Sequence, residues 1–195
     1  MTVPTKETRN RRSRLSRAFP GFVLVMRWAL AFSWTPGAAQ TPTLHEYELK
    51  AGVLYNIIKY VEWPATATPG NPETLEVGLV GNIPYADALH VLDGKMVQGR
   101  RIVVRPISNL VEATQCQVLF IGASEKGRLA QIAAEFRNQP VLTVGEVEGF
   151  AEQGGMVNLV AGPNRIVMEI NREAAQQSRL AFSSQLLKLA KLVPR

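Results

Sequence analysis

Four short apolar runs constrain the fold of this chain more than any other feature of its sequence. They read LEVGLVG (75–81), RIVVRPI (101–107), CQVLFIG (116–122) and VLTVGEV (141–147). Runs of this length and composition are typical of strands that are buried on both faces of a sheet. Helical patterns lie between them, and this alternation predicts an α/β fold with a mostly parallel sheet flanked by helices.

The segments before and between these strands carry helical signals. Thr43 and Glu46 fit a capping box, and apolar residues then recur at helical spacing, which predicts a helix over about 44 to 61. Further helical patterns are PYADALHVLDG (84–94), the short SNLVEAT (108–114) and SEKGRLAQIAAEFRN (124–138). In the last of these, Ser124 is the predicted N-cap.

The C-terminal part follows a different pattern. MVNLVA (156–161) and RIVMEI (165–170), joined by Gly162-Pro163-Asn164, predict a hairpin at one edge of the sheet. Asn171 is the predicted cap of a following helix that runs to 177, LAF (180–182) is expected to be extended, and Ser183 is expected to begin a last helix.

The N-terminal 39 residues predict a signal peptide. They hold seven Lys or Arg against one acid, then an apolar stretch from Ala18 to Trp34, then small residues before Gln40. We therefore expect export to the periplasm and one domain over 40–195. Translation from Met26 would leave a compact signal, and RNRRSRLS (9–16) leaves a twin-arginine route open.

The charge of the chain belongs to this leader. The whole sequence has 22 basic and 16 acidic residues, so subtracting the leader leaves 15 of each, from 22 − 7 and 16 − 1. A neutral domain lacks the basic surface that binds nucleic acid, so we expect no nucleic-acid partner.

Residues that could perform catalysis are scattered. The sequence has no G-x-G-x-x-G or Walker motif, and His45 and His90 lie in separate helical patterns without a ligand cluster, so we expect no cofactor and no metal. The single cysteine, Cys116, begins a buried strand and is predicted to be inert rather than a nucleophile.

Acidic residues follow the fourth predicted strand. Glu146, Glu148 and Glu152 could in principle serve as acid and base, but a solvated acidic loop is the simpler interpretation. The strand ends near 81–82, 122–124 and 145–148 mark the crevice where open α/β sheets bind ligands.

Four segments resemble the YfiR-like family of periplasmic regulators. They are LKAGVLYNIIKYVEWP (49–64), CQVLFIGASE (116–125), VLTVGEVEGFAEQGGMVNLVAGPNRIVMEIN (141–171) and SSQLLKLAK (183–191). The resemblance implies a non-enzymatic protein that represses an inner-membrane diguanylate cyclase by binding its periplasmic region, and that an outer-membrane lipoprotein can sequester. It also implies that a homodimer can form. Relatives often carry disulfides, including one near 148–158, where this chain has no cysteine.

Eight residues are candidates for partner binding. Each also has a structural interpretation, as a packed aromatic, a turn residue or a solvated polar group. The candidates are Tyr55, Lys59, Trp63, Phe150, Met156, Val157, Glu169 and Gln185.

The resemblance therefore implies a periplasmic regulator that represses a membrane signalling enzyme, a diguanylate cyclase, and so controls cyclic-di-GMP. Two other functions stay open. One is a small-molecule sensor with its ligand at the strand-end crevice, and the other is a hydrolase using Cys116 or the glutamates.

Overall fold

A computed structural model of the protein describes residues 42–64, 71–162 and 165–193. All of them belong to one compact unit, Gln40–Arg195. The predicted signal peptide, residues 1–39, lies outside the described residues. Within the described ranges, no helix is both long and apolar enough to span a membrane.

Strands and helices alternate along the chain as the sequence predicted. The helices are α1 (Leu44–Lys59), α2 (Ala86–His90), α3 (Leu110–Ala113), α4 (Leu129–Glu135), α5 (Arg172–Gln177) and α6 (Ser184–Leu189). The strands are β1 (Val61–Glu62), β2 (Thr74–Val80), β3 (Met96–Val97), β4 (Arg100–Ile107), β5 (Val118–Ile121), β6 (Leu142–Gly145), β7 (Val157–Ala161), β8 (Ile166–Ile170), β9 (Ala181–Phe182) and β10 (Lys191–Leu192).

Among the described residues, the main sheet has eight strands in the order β10-β8-β7-β6-β5-β2-β4-β3, and β1 pairs separately with β9. Only the β7–β8 and β3–β4 pairs within this sheet are antiparallel, so the predicted mostly parallel α/β fold is confirmed. Strand β2 lies between β4 and β5, which means that the chain crosses β2 when it passes from β4 to β5.

This crossing places helices on both faces of the sheet. Side chains of α1, α2 and α6 join one core, with residues such as Leu54, Leu89 and Leu186. Side chains of α3 and α4 join a second core on the other face, with residues such as Ala113 and Ile132. The sheet is therefore covered on both sides, which is why its central strands read as nearly continuous apolar runs.

Helix α1 is fixed at both ends. The Thr43 hydroxyl accepts a hydrogen bond from the Glu46 N–H at 3.2 Å, so the predicted N-cap is confirmed. At the other end, Gln98 in the β3–β4 turn donates its side-chain amide to the carbonyls of Ile58, Lys59 and Val61. The β3–β4 hairpin was not predicted, because its first strand has only two residues.

The C-terminal hairpin, the extended segment at β9, the cap predicted at Asn171 and the last helix predicted from Ser183 are confirmed, and Ser183 is the N-cap of that helix. The hairpin is not the outermost element, because β10 pairs with Glu169 and Ile170 of β8. The cap predicted at Ser124 is wrong: residues 123–128 form a 3-10 turn before α4, and the Ser124 hydroxyl accepts from the Asn82 N–H instead.

Candidate functional site

A buried acidic cluster occupies the carboxyl ends of the central strands. The Glu146 side chain follows β6 and is only 2% exposed. Its Oε1 accepts hydrogen bonds from the Tyr47 hydroxyl and the Ala123 N–H, both at 3.0 Å, and its Oε2 lies 2.7 Å from Lys50 Nζ. Lys50 is itself 4% exposed and also pairs with Glu46 at 2.6 Å. The cluster therefore attaches α1 to the strand ends through charged and neutral hydrogen bonds.

The predicted solvated acidic loop is confirmed for two of its three glutamates. Glu148 and Glu152 are exposed, as expected of a solvated acidic loop. For Glu146 that interpretation is wrong, because its side chain is buried and paired. Burial first, and the neighbouring Glu146 carboxylate second, raise the pKa of Tyr47. The phenol therefore stays a neutral donor to the carboxylate.

The strand-end crevice that could have bound a ligand is occupied by this cluster. Both carboxylate oxygens of Glu146 already accept hydrogen bonds from groups of the protein itself. The Tyr85 ring lies over the same region, with its centroid 6.1 Å from that of Tyr47. Glu146 therefore offers no free carboxylate oxygen for acid–base chemistry or for a cationic ligand.

The other residues considered for catalysis stand apart. Cys116 is fully buried, as predicted, and burial raises the pKa of its thiol to about 11, which suppresses the reactive thiolate. His45 and His90 are both exposed. Within the described ranges, no three His, Cys, Asp or Glu side chains are grouped so that they could hold a metal ion.

An open apolar groove lies on the α1 face of the sheet, between α1, β8 and α6. We call it the α1–β8–α6 groove; its volume is about 460 Å³. It is lined by Val53, Asn56, Tyr60, Ile166, Met168, Gln185, Leu186 and Leu189. Leu189 projects from α6 at its rim and is 80% exposed. No lining side chain is charged, so the groove can accept apolar groups without burying a charge.

Two of the predicted partner-binding residues lie at this groove. Gln185 lines it, and Lys59 is exposed beside it, with its ammonium 5.5 Å from the centre of the Tyr60 ring. Tyr55 and Trp63 are half-buried and pack against the main core, as their structural interpretation predicted. Tyr55 faces the opposite side of α1, where its hydroxyl donates to the Met96 carbonyl at 3.1 Å.

Three predicted contact residues are part of the protein core. Phe150, Met156 and Val157 are at most 3% exposed, so none of them offers a contact surface in this conformation. Phe150 also explains the nearby glycines, since a Cβ on Gly145 or Gly155 would collide with its ring. Of the two glycines at 154–155, only Gly154 has a positive φ; Gly155 is required by close packing instead.

Glu169 lies beside the groove but on the other face of β8. Its carboxylate accepts from Lys191 Nζ at 2.9 Å and from the Asn158 amide at 3.2 Å. Burial raises its pKa, but these hydrogen bonds outweigh burial and hold the pKa below its ordinary value. Glu169 therefore attaches β10 to β8, and its position does not join it to Gln185 on one surface.

The residues that build the groove fall within a known family profile. The profile described as YfiR/HmsC-like matches residues 47–191, which include most of α1 and all of β8 and α6. The chain belongs to the YfiR/HmsC-like family. This confirms the resemblance seen in the sequence, and it is consistent with a regulatory, non-catalytic protein of the periplasm that acts in cyclic-di-GMP signalling.

Solved structures share the fold of this YfiR/HmsC-like chain. One is the ABC domain from Streptococcus pneumoniae in complex with L-Trp, with a TM-score of 0.52, 9% identity and 73% of this chain covered. Another is a conserved domain protein from Vibrio cholerae O1 biovar El Tor, with a TM-score of 0.53, 13% identity and 76% covered. This chain spans 60% of the length of each, and at such identities the likeness shows the fold alone.

Proposed function

We propose that this protein is a periplasmic repressor that binds the periplasmic region of an inner-membrane diguanylate cyclase and lowers cyclic-di-GMP output. In this proposal it has no enzymatic activity of its own, reaches the periplasm through the leader at residues 1–39, and can be sequestered by an outer-membrane lipoprotein. Membership of the YfiR/HmsC-like family supports a regulatory protein with a protein partner.

The α1–β8–α6 groove is the observation that carries this proposal. Leu189 is 80% exposed at its rim and continues the apolar lining that Val53 and Leu186 provide, so the exposed apolar surface is contiguous. Interfaces gain most of their affinity from a few side chains that become fully buried in a fitting recess. A groove with an apolar floor, polar Asn56 and Gln185 at its sides and a projecting leucine has that composition.

Binding at the groove represses the cyclase only if this protein prefers the inactive conformation of its partner. A ligand shifts a conformational equilibrium by no more than its difference in affinity for the two states. Tenfold repression therefore requires at least about 1.4 kcal/mol of preference for the inactive state, which a few buried apolar contacts can supply.

The test is to compare cyclic-di-GMP in cells that lack the gene with cells that carry the wild-type protein or the Leu189→Asp variant. The deletion is expected to raise cyclic-di-GMP, and the variant is expected to behave like the deletion. Val111→Asp is the matched control, because Val111 is 79% exposed on α3, on the opposite face of the sheet. Unchanged cyclic-di-GMP in the deletion strain, or equal repression by Leu189→Asp and wild type, would contradict the proposal.

A small-molecule sensor is the second candidate, and the volume of the groove supports it. About 460 Å³ lies within the ~300–1,000 Å³ range of ligand sites. A metabolite that raises the melting temperature of the isolated protein, with the effect lost in Gln185→Trp, would favour this function.

A further inference from the structure

Helix α1 has a second groove on its other side, between α1, α2 and β3. We call it the α1–α2–β3 groove; its volume is about 480 Å³. It is lined by Glu48, Ala51, Gly52, Tyr55, Val91, Leu92, Lys95 and Met96. Val91 and Met96 are large apolar residues, yet they are 57% and 56% exposed. Exposed apolar surface therefore lies on both sides of α1, which is typical of a protein interface.

The ridge of α1 between the two grooves is lowest at Gly52. Gly52 lines the α1–α2–β3 groove and Asn56, one turn later, lines the α1–β8–α6 groove, so the boundary between the grooves runs over these two exposed residues. The Asn56 amide donates back to the Gly52 carbonyl at 3.0 Å, which holds this side chain along the helix. Apart from chain neighbours and the backbone of the helix, no described atom lies within 4 Å of the position that a Gly52 Cβ would take. The helix backbone is therefore accessible from outside at this point.

Among the described residues, nothing requires a glycine at position 52. A glycine inside a helix destabilises it relative to alanine. Gly155 has a reason within the fold, because a Cβ there would collide with the Phe150 ring, whereas Gly52 has a helical backbone and open space. Close approach of another molecule to the backbone accounts for such a glycine.

The spacing of the grooves fits a helix better than a strand. Side chains that enter both grooves must lie about 10 Å apart, because an α-helix with its side chains is about 10–12 Å across. On a second helix, positions i and i+7 lie on one face and about 10.5 Å apart. On a strand, the side chains of one face recur at about 6.7 Å and about 13 Å, so neither spacing matches.

Charge in the second groove favours an acidic group on the partner. Lys95 lines the groove and is exposed, and it forms no ion pair with any described residue. Glu48 is the other charged residue of the lining, and its carboxylate lies 3.5 Å from His45 Nδ1. A carboxylate of the partner placed beside Lys95 would gain an attraction that the protein itself leaves unused.

We propose that an α-helix of the partner lies across α1 at Gly52 and enters both grooves. Its apolar side chains at i and i+7 occupy the two grooves, a small residue between them contacts Gly52, and an Asp or Glu faces Lys95. The inference rests on the proposed function and specifies how the cyclase is recognised. Helices pack in this way when the side chains of one fill the grooves beside the other.

The crossing point is tested by Gly52→Gln. Glutamine is a good helix former and its side chain has open space, so the variant is expected to fold. Full-length wild type and variants are expressed with their own leader, cross-linked in membranes and captured, and the recovered diguanylate cyclase is quantified. Gly52→Gln is expected to recover it at least tenfold less than wild type. Gly127→Gln is the matched control, because Gly127 is an exposed glycine of the 3-10 turn with equally open space.

Variants of the second groove test the rest of the contact. Val91→Asp is expected to lower recovery at least tenfold, and it leaves α1 unchanged, which keeps the test informative if Gly52→Gln unfolds. Lys95→Glu is expected to lower recovery several-fold. Lys126→Glu, at an exposed lysine in the 3-10 turn, is its matched control and should recover as much cyclase as wild type.

Photo-cross-linking from single positions identifies the occupant. A benzophenone side chain placed at Val91 and, separately, at Leu189 is expected to label one helix of the cyclase at two positions about two turns apart. Labelling of a second copy of this protein, or of two separate segments of the cyclase, would overturn the inference.

The outcomes distinguish this inference from the proposed function. If wild type recovers no cyclase, the proposed function fails. If wild type recovers the cyclase and both Gly52→Gln and Val91→Asp do so equally well, the proposed function stands and the inference of a crossing helix is wrong.

Discussion

Replacing Glu146 with glutamine should destabilise the protein by about 3 kcal/mol. The change is selective: the retained side-chain carbonyl can still accept from the Tyr47 hydroxyl and the Ala123 N–H, both of which bind Oε1. The new amide N–H₂ would instead lie against the ammonium of Lys50, which now bonds Oε2 at 2.7 Å. The substitution therefore removes one contact and leaves a buried positive charge.

The magnitude follows from the burial of the pair. Removing one partner of a buried ion pair costs about 3–5 kcal/mol, because the other charge stays buried without compensation. The Lys50 side chain is 4% exposed, but it keeps its second ion-pair partner, Glu46, at 2.6 Å. Because Glu46 is only 19% exposed and still compensates part of the Lys50 charge, we expect a cost at the lower end of that range. With a urea m-value of about 2 kcal/mol/M, the unfolding midpoint should fall by about 1.5 M.

Urea unfolding followed by circular dichroism measures this shift. Glu148→Gln is the matched control, since Glu148 is exposed two residues away and its loss should cost at most about 0.5 kcal/mol. Adding Lys50→Met to the Glu146→Gln variant should recover part of the loss, because the charge that then lacks a partner is Glu46, which is 19% exposed rather than buried like Lys50. Equal midpoints for the Glu146→Gln and Glu148→Gln variants, or no recovery in the double variant, would refute the reasoning.

Three other predictions concern glycines, the thiol and acid stability. Gly155→Ala should destabilise the protein by about 1–3 kcal/mol, because the added methyl group overpacks the core. Gly52→Ala should stabilise the protein by about 0.5–1 kcal/mol, because Gly52 lies in α1 and has open space at its Cβ position. Thermal unfolding measures both changes. Iodoacetamide should alkylate Cys116 at pH 8 no faster than the protein unfolds, and faster labelling would contradict its burial. Because the pKa of Glu169 is lowered in the folded state, its contribution to stability is present above pH ~4.3 and is lost as the pH falls through the folded pKa. Glu169→Gln should therefore flatten the fall in stability at acid pH, and an unchanged profile would contradict this.

Local signals in the sequence were sufficient for most of the fold. The Thr43, Asn171 and Ser183 caps act on backbone N–H groups within three residues, so their patterns are visible in a short window. The long apolar strands were equally easy to predict, because a strand that is buried on both faces carries apolar residues at nearly every position. The two-residue strands β3 and β10 could not be predicted, since neither is long enough to show a period.

The site depended on contacts that no local window contains. Glu146 reads as one member of an acidic loop, and its partner Lys50 is 96 positions away. The same limit applied to Phe150, which looked like a surface aromatic in a glycine-bearing turn but fills the space left by Gly145 and Gly155. One signal could have helped: Lys50 and Tyr47 lie on the buried face of the predicted first helix, and a buried lysine requires an acidic partner.

The distance in sequence between Lys50 and Glu146 also has a consequence for the order of folding. A chain that leaves the ribosome N-terminus first presents α1 long before the residues that cover it, and β8 follows even later than Glu146. A helix in a protein gains most of its stability from packing of its apolar face, and closing so long a loop slows folding. We therefore expect the N-terminal part to stay unfolded until most of the domain has been synthesised. A chain that folds late is still unfolded when it reaches a secretion channel, and an unfolded chain can be threaded through such a channel.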